Sequence, residues 1–466
     1  MLTFKSVNVK SSARLRKYYK RCTYRLCEYS VGVKLMWRHH MDPSFAEAGD
    51  CLIVRNAFHG SVAFDYPVPL SESADLSAAL DAIDAYCREM GVLPAFQTVP
   101  EEALPVLLHR YPYATVSNSR TWQDYLYKAD DLINFAGRRY SGQRNHINKF
   151  RKLYPSAVFR PITRDDAEEL EAFWEAFHLA FNKDAALAKK ELCYARKLTR
   201  QIGKAWPLAG ALELDGKFIA ISLGEICGDT LICHIEKALP EYEGAYPTIV
   251  QSFAAYYGKN CTWINREDDG ADRGLRTSKT QYLPAEMGRK YFVEISTDIR
   301  NLDKIPSLCS DRLTMDAITR ADIPDYNRLC LDDARNRWWG YDYRKDLKGE
   351  WTENYFYRVA QTDFKRKLAV NFAIRREGAF IGEAVLYNFD YKGAAELGCR
   401  ILPEFAGHGY GAEAFARLAD WALYELGLYR LVAKCYQETE PSRRMLSAVM
   451  GQTGEDETFC YFEKRI

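Results

Sequence analysis

The stretch that decides the fold runs Glu396-Leu-Gly-Cys-Arg-Ile-Leu-Pro403-Glu-Phe-Ala-Gly407-His-Gly409-Tyr-Gly411-Ala-Glu413. Leu397, Cys399 and Ile401 alternate with Gly398 and Arg400, the period-2 pattern of a strand. Pro403 ends it, because proline cannot donate to a sheet ladder. Glycines follow at 407, 409 and 411, and then Phe415, Leu418, Ala419, Ala422 and Leu426 mark an apolar helical face. The reading is strand, glycine turn, helix. The first-turn N–H groups of such a helix lack intrahelical acceptors, and with the helix dipole they favour an anion. Glycines let the backbone pass close to a bulky partner, so a diphosphate fits there. A tight strand-to-helix turn with no ligand is the competing account. The dinucleotide fingerprint and the P-loop are excluded, since the G-x-G-x-x-G spacing fails and no Gly-Lys-Ser/Thr follows.

The string Pro403-Glu-Phe-Ala-Gly-His-Gly-Tyr-Gly-Ala-Glu-Ala414 resembles the acetyl-CoA motif of the GNAT acyltransferases, and within them the branch that acetylates ribosomal-protein N-termini. The resemblance covers residues 312–466. Ala406 departs from it, where the family usually has Arg, Gln or Trp. It implies acetyl-CoA as acyl donor, held by Ile401, Leu402, Gly407, His408, Gly409, Tyr410, Gly411 and Ala412, with a small-molecule or peptide amine as acceptor. Transfer to an amine needs a held thioester, a polarised carbonyl and a deprotonated amine. A backbone N–H on the 396–401 strand can polarise the carbonyl, and a carboxylate or water chain can take the proton. Glu396 is the first candidate base, since the family often has an acid there. Glu383, on the preceding strand, is the second, and for it an exposed strand carboxylate is the favoured reading. Thr439-Glu-Pro-Ser442-Arg-Arg-Met-Leu446 resembles the family's helix start, with Thr439 in place of Asn. Ser442 can then reach the pantetheine or the leaving thiol, and N-capping explains it equally well. His408 is expected to face solvent as a phosphate contact. Trp338, Trp339, Tyr341 and Tyr343 offer an aromatic wall for an acceptor cleft, with core packing as the alternative.

A chain of 466 residues implies two or three domains. Its 47% hydrophobic and 27% charged residues suit a soluble globular protein. A net charge of +1 supplies no global field for nucleic acid or membrane, so any basic site must be local. Thirteen cysteines, an odd number with no C-x-x-C pair, point to reduced thiols in a cytoplasm and to no structural metal. There is no apolar run near 20 residues and no apolar signal core, so no membrane span is expected.

An internal repeat is visible. Val158-Phe-Arg-Pro-Ile-Thr-Arg-Asp-Asp166 corresponds to Thr314-Met-Asp-Ala-Ile-Thr-Arg-Ala-Asp322, each before a helix. The hairpin around Gly216 corresponds to the one around Gly378. Leu239-Pro-Glu-Tyr-Glu-Gly244 corresponds to Leu402-Pro-Glu-Phe-Ala-Gly407. On that alignment Tyr246 stands at Gly409 and Thr248 at Gly411, while Pro247 removes a donor, so the first copy should not hold coenzyme A.

Arg138, Arg139, Arg144, His146, Lys149, Arg151 and Lys152 share a helix with the buried stripe Ile147, Phe150 and Tyr154, and no acidic residue falls among them. A solvated face and a phosphate-contacting helix, for example for tRNA at 138–152, are both open. Residues from about 20 to 300 resemble the C-terminal domain of phosphatidylglycerol lysyltransferases. The carrying strings are Arg144-Asn-His-Ile-Asn-Lys-Phe150, His234-Ile-Glu-Lys-Ala238 with Gly244-Ala-Tyr246, and Asn265-Arg-Glu-Asp-Asp269 with Leu275-Arg276, Lys279 and Tyr282-Leu-Pro284. The resemblance implies two GNAT-like halves and places Asp269, Arg276 and Lys279 near an active site, with Arg144 and Lys149 as further candidates. It also implies an alternative function, aminoacyl-tRNA-dependent transfer. The expected architecture is α/β (α+β): tandem GNAT-like acyl-CoA N-acyltransferase folds with mixed sheets flanked by helices. The expected divisions are 1–130, 131–305 and 310–466.

Overall fold

In the computed structural model every residue is described except 1, 59–60, 91, 112–113, 181–185, 204–207, 296–298, 340–343, 345–346, 348–349, 391–392 and 466. The chain forms two compact units, residues 1–83 with 94–294 and residues 84–93 with 295–466. The expected class holds: mixed sheets, flanked by helices, with eight and seven strands in the first unit and eight in the second.

The repeat is a repeat of topology. In the second unit Val370–Arg376, Ala379–Tyr387 and Ala394–Ile401 run antiparallel, the helix Tyr410–Asp420 follows, and Arg430–Tyr436 returns parallel to Ala394–Ile401. In the first unit Leu208–Leu214, Lys217–Cys227 and Thr230–Ala238 do the same, with the helix Ala245–Tyr257 and the strand Trp263–Asn265. Thr163 and Thr319 both open their 3-10 turns with a capping box, to Asp166 and Asp322. Leu239 N–H donates to Ile219 O and Leu402 N–H to Ile381 O, each at 2.9 Å.

The register expected at the helix start is corrected by two residues. Gly244 (φ +83°) and Gly409 (φ +79°) are the two helix N-caps, both left-handed. Gly244 therefore answers Gly409, Tyr246 answers Gly411, and Pro247 answers Ala412.

The sheets of the first unit do not follow a division at 130. In the second unit the last strand, Phe459–Arg465, inserts between Arg430–Tyr436 and Gly451–Glu455. In the first unit the corresponding strands are exchanged. Lys290–Glu294 lies between Ala95–Pro100 and Thr115–Asn118, and Asp124–Lys128 lies between Trp263–Asn265 and Glu286–Gly288. Each half thus completes the other's sheet, and hydrogen-bond ladders tie the two into one body.

Candidate functional site

The strands Ala394–Ile401 and Arg430–Tyr436 pair only through Ala394, Ala395 and Glu396, opposite Arg430, Leu431 and Val432. Both continue for several residues beyond that point, so they part into a V. The far edge of Ala394–Ile401 stays laddered to Ala379–Tyr387. Its near edge turns main-chain donors and acceptors into the opening, and these need partners.

The mouth of the V is the glycine turn. Gly407 (φ +82°) and Gly409 hold conformations that side chains resist. The first intrahelical bond is made by Glu413 N–H to Gly409 O, so the N–H groups of Tyr410, Gly411 and Ala412 precede it. The helix packs by Leu418 and Phe415 into the same core as Leu397 and Ile401, which fixes its N-terminus over the strand end. A Cβ on Gly411 would stand 3.5 Å from Ile401 and from Met445 Sδ, and 3.9 Å from Cys399 Sγ. His408 is exposed as expected, its Nδ1 2.9 Å from Ala406 O and its ring stacked on Tyr410.

No sequence pattern singles out Arg312. Its Nε donates to Glu413 Oε2 at 2.7 Å, its main-chain N–H to Glu413 Oε1 at 2.9 Å, and Nη1 to His408 O at 3.2 Å. Burial alone would raise the Glu413 carboxyl, but donors from Ser310 and Arg312 outweigh it and hold the group below the usual range.

Glu396 occupies the vertex of the V. Its carboxylate accepts from Tyr387 Oη and Asn388 Nδ2, both at 2.9 Å. Alternation puts Glu396, Gly398 and Arg400 on the sheet face opposite the helix. Trp339 lies over Gly398, where a Cβ would come within 2.7 Å of its ring, and the Arg400 guanidinium is 4.6 Å from the centre of that ring. Of the four expected wall residues, Trp338 packs edge-on to Tyr436, while Tyr341 and Tyr343 lie outside the described residues.

The exposed carboxylate expected at Glu383 is wrong. Glu383 is fully buried and accepts from Arg400, Tyr326 and Asn371 at 2.7–2.9 Å. Register explains it: Glu383 and Arg400 are directly opposite on adjacent strands. N-capping by Ser442 is also excluded, because Thr439 is the cap residue of the helix Glu440–Ser447 and Ser442 is its third residue. Ser442 shares a face with Met445, the residue beside Gly411.

The first unit has the same V, paired through Thr230–Ile232 and Trp263–Asn265, but it is filled. Tyr246 Oη donates to Glu236 O at 2.9 Å, on the part of the strand that has left its neighbour. A Cβ on Gly244 would come within 2.5 Å of His146 O and 2.9 Å of Phe150 Cβ, so the helix Ser141–Leu153 covers the turn. Ile147 and Phe150 are buried as expected. The positive face, however, is largely engaged. Arg139 pairs with Asp131 and Lys149 with Glu243, while Arg144 donates to the carbonyls of Phe135 and Gly137. Arg144 and Lys149 are thus brought into no common site.

Asp269, Arg276 and Lys279 are brought together. The run after Trp263–Asn265 threads one polar cluster in which each residue takes a different partner. Asn265 donates to Asp124 at 2.8 Å, Arg266 to Glu236 at 2.8 Å, Glu267 meets His234 at 2.8 Å, and Asp268 lies 3.6 Å from Lys290. Asp269, fully buried, receives both arms of Arg276 at 2.9 and 3.0 Å and Tyr125 Oη at 2.7 Å. Burial would raise its carboxyl, but these donors hold it below the ordinary range. Lys279 Nζ turns inward to Arg266 O at 2.5 Å and to Asp268 O, and burial lowers its pKa. Asp272 caps the helix Arg273–Thr280. Cys27, Asp124 and Asp268 present ligand atoms within 4.8 Å of one another, and Lys290 Nζ stands among them, 2.7 Å from Asp124.

Residues 19–294 match the family model described as phosphatidylglycerol lysyltransferase, C-terminal, which is more than half of the chain. The chain belongs to that family. Residues 312–449 match a second model, acetyltransferase (GNAT) domain. Both descriptions name acyl transfer, the class of activity the matches support. The crystal structure of a conserved protein of unknown function from Bacteroides thetaiotaomicron is 27% identical, covers 63% of this chain and 99% of its own, and superposes with a TM-score of 0.56. An uncharacterized protein of Mycoplasmoides gallisepticum is 24% identical over 40% of this chain and 60% of its own. The uncharacterized N-acetyltransferase YnaD of Bacillus subtilis is 29% identical over 16% of this chain and 45% of its own. The matched regions thus span less than two thirds of either curated relative. Among the described residues no helix is long and apolar enough to cross a membrane.

Proposed function

We propose that the C-terminal unit is an acetyl-CoA-dependent N-acetyltransferase that binds one coenzyme A per chain. The observation that carries this is the contrast between two copies of one topology. At the second V, Ile401, Leu402, Gly407, His408, Gly409, Tyr410, Gly411 and Ala412 would line the slot, and the helix start at its mouth carries no side-chain cap. At the first V a tyrosine ring, a proline and a helix occupy the same places. The diphosphate would sit at the N-terminus of Tyr410–Asp420 and the pantetheine would take up the main-chain groups of the open strand edge. The thioester then reaches the vertex, where Glu396 takes a proton from the amine, directly or through a water, and a strand N–H polarises the carbonyl. Ser442 returns a proton to the leaving thiolate. The acceptor is an amine of a small molecule or peptide, entering on the face that carries Glu396 and Trp339.

Calorimetric titration of the full chain with coenzyme A tests this reading. A stoichiometry of one is expected. No binding, or two molecules per chain, overturns it.

For the N-terminal unit the family description, a lysyltransferase, supports aminoacyl transfer as a second reading, with aminoacyl-tRNA as the donor we infer and the joined Asp269, Arg276 and Lys279 as its candidate site. Transfer from lysyl-tRNA that survives Asp269→Asn would sink this second reading. Of the cations on the helix at 138–152, Arg139, Arg144 and Lys149 already have acids or carbonyls as partners, which weakens the case for tRNA docking there.

A further inference from the structure

The glycine turn carries Ala at position 406, where the motif it resembles usually has Arg, Gln or Trp, so it brings no long polar side chain of its own. A cation comes to the same turn from another part of the chain. In the first unit the turn at Gly244 is covered by the helix Ser141–Leu153, which precedes the Thr163 capping box. In the second unit the corresponding segment, before the Thr319 capping box, holds Ser310 and Arg312. Arg312 Nη2 lies 3.5 Å from the point where a Cβ on Gly409 would be, and its guanidinium rests 4.7 Å from the centre of the Tyr410 ring. Three of its contacts fix it in place: two to Glu413 and one to His408 O. The guanidinium carries five N–H donors in a rigid fork, so hydrogens remain for a ligand, and the side chain is half exposed at the mouth of the V. Arg376, on the strand Val370–Arg376, approaches the same ring at 5.4 Å and adds a second positive charge.

We propose that Arg312, oriented by Glu413 and Ser310, is the diphosphate-binding cation of this site. It supplies from the segment before residue 314 what the glycine turn itself lacks at Ala406. The inference rests on the coenzyme A reading above. Helix N–H groups and a guanidinium would grip the diphosphate from two sides, a charge-assisted arrangement stronger than either neutral contact alone. Glu413 does not cancel this role. It takes up part of the charge, but it also removes the rotational freedom that a mobile arginine would lose on binding.

The test is calorimetry of coenzyme A binding by the full chain carrying Arg312→Gln, Arg312→Lys or no change, at low and at moderate KCl. Loss of one charge-assisted phosphate contact should weaken binding about tenfold or more in Arg312→Gln. Arg312→Lys should fall between, because an ammonium cannot keep both Glu413 contacts and also reach the phosphate. Affinity of the unchanged chain should decline with KCl more steeply than that of Arg312→Gln, a difference that a merely structural role would not produce. Failure of the unchanged chain to bind coenzyme A refutes the underlying reading. Binding by the unchanged chain with Arg312→Gln within twofold of it, or with the same salt dependence, overturns the role of Arg312. Should Arg312→Gln fail to fold, as judged by its thermal melt, Arg312→Lys decides by affinity alone: binding within twofold of the unchanged chain overturns the role of Arg312.

Discussion

Gly411→Tyr should convert the open slot into a copy of the closed one. The two V-shaped openings superpose in register: Gly244 with Gly409, Tyr246 with Gly411, and Glu236 with Cys399, since Ser222 faces Glu236 as Ala384 faces Cys399. A tyrosine at 411 can therefore aim its hydroxyl at the Cys399 carbonyl, as Tyr246 does at Glu236 O. The substitution is compatible with the fold. Gly411 is in the helix with ordinary φ, and the nearest neighbours of a new Cβ are at 3.5 Å, normal contact. Tyrosine is a better helix former than glycine by a few tenths of a kcal/mol, and burying part of its ring adds about 1–2 kcal/mol. Stability should be unchanged or slightly raised, whereas the ring would occupy the pantetheine path. Affinity for coenzyme A should fall at least about a hundredfold, which is roughly 2.7 kcal/mol. Calorimetry gives the stoichiometry and a thermal melt gives the stability. A stable Gly411→Tyr protein that binds coenzyme A as the unchanged chain does would refute the argument. The reverse change is not equivalent: Tyr246→Gly leaves the His146 carbonyl and Phe150 over Gly244, so no second site should appear.

Three further outcomes follow from the geometry. Glu396→Gln should lower kcat by about a hundredfold or more with little change in KM for acetyl-CoA, as expected for a proton acceptor at the vertex; an unchanged kcat once an acceptor is in hand would remove Glu396 from the chemistry. Arg400→Met strands the buried Glu383 carboxylate, so urea unfolding of the chain should show a loss of about 3–5 kcal/mol, with part recovered in Arg400→Met/Glu383→Leu; additive losses would mean the pair is not coupled. His234 is buried, which would lower its pKa, but Glu225 and Glu267 outweigh burial and raise it from 6.5 to about 9. A raised folded-state pKa contributes stability that is complete below pH 6.5 and lost as pH rises through about 9, here up to about 3 kcal/mol. Urea midpoints of the unchanged chain should fall across that window and those of His234→Gln should fall less; parallel profiles would show that His234 does not carry the effect.

The parts of this fold that were legible in the sequence are those written in local patterns. The strand and helix around the glycine turn stand where the residues put them, and a helix follows Thr163 and Thr319 as expected. The register of the repeat was misread by two residues for a physical reason. Matching Leu-Pro-Glu-aromatic-x-Gly by letters equates Gly244 with Gly407, but both Gly407 and Gly409 are left-handed, and only backbone geometry tells which one caps the helix. The basic helix looked free because no acid lies within it; Asp131 and Glu243 reach it from other segments. Arg312 was invisible for the same reason, being 97 residues before the glycine it serves. Glu383 was misjudged because its partner is on the next strand, opposite it once the register is known.

The exchanged strands show why no linear division could have been drawn in the first unit. A boundary near 130 is sensible where composition changes, yet Asp124–Lys128 pairs with Trp263–Asn265 and Lys290–Glu294 with Ala95–Pro100. Those pairings cost loop-closure entropy that only non-local contacts can offset, so the halves gain their sheets together. The exchange also has a consequence for chemistry. Asp124 lies on one exchanged strand and Lys290 on the other, and they meet at 2.7 Å beside Cys27 and Asp268. Asn265 binds the same Asp124 and opens the run that ends at Asp269. The polar cluster that carries the first unit's candidate site is thus assembled by the exchange itself. In the second unit the last strand stays in its own sheet and the site forms instead at the open V. One topology thus appears in two forms: in one unit the V is closed and the strand ends are charged, in the other the V is open.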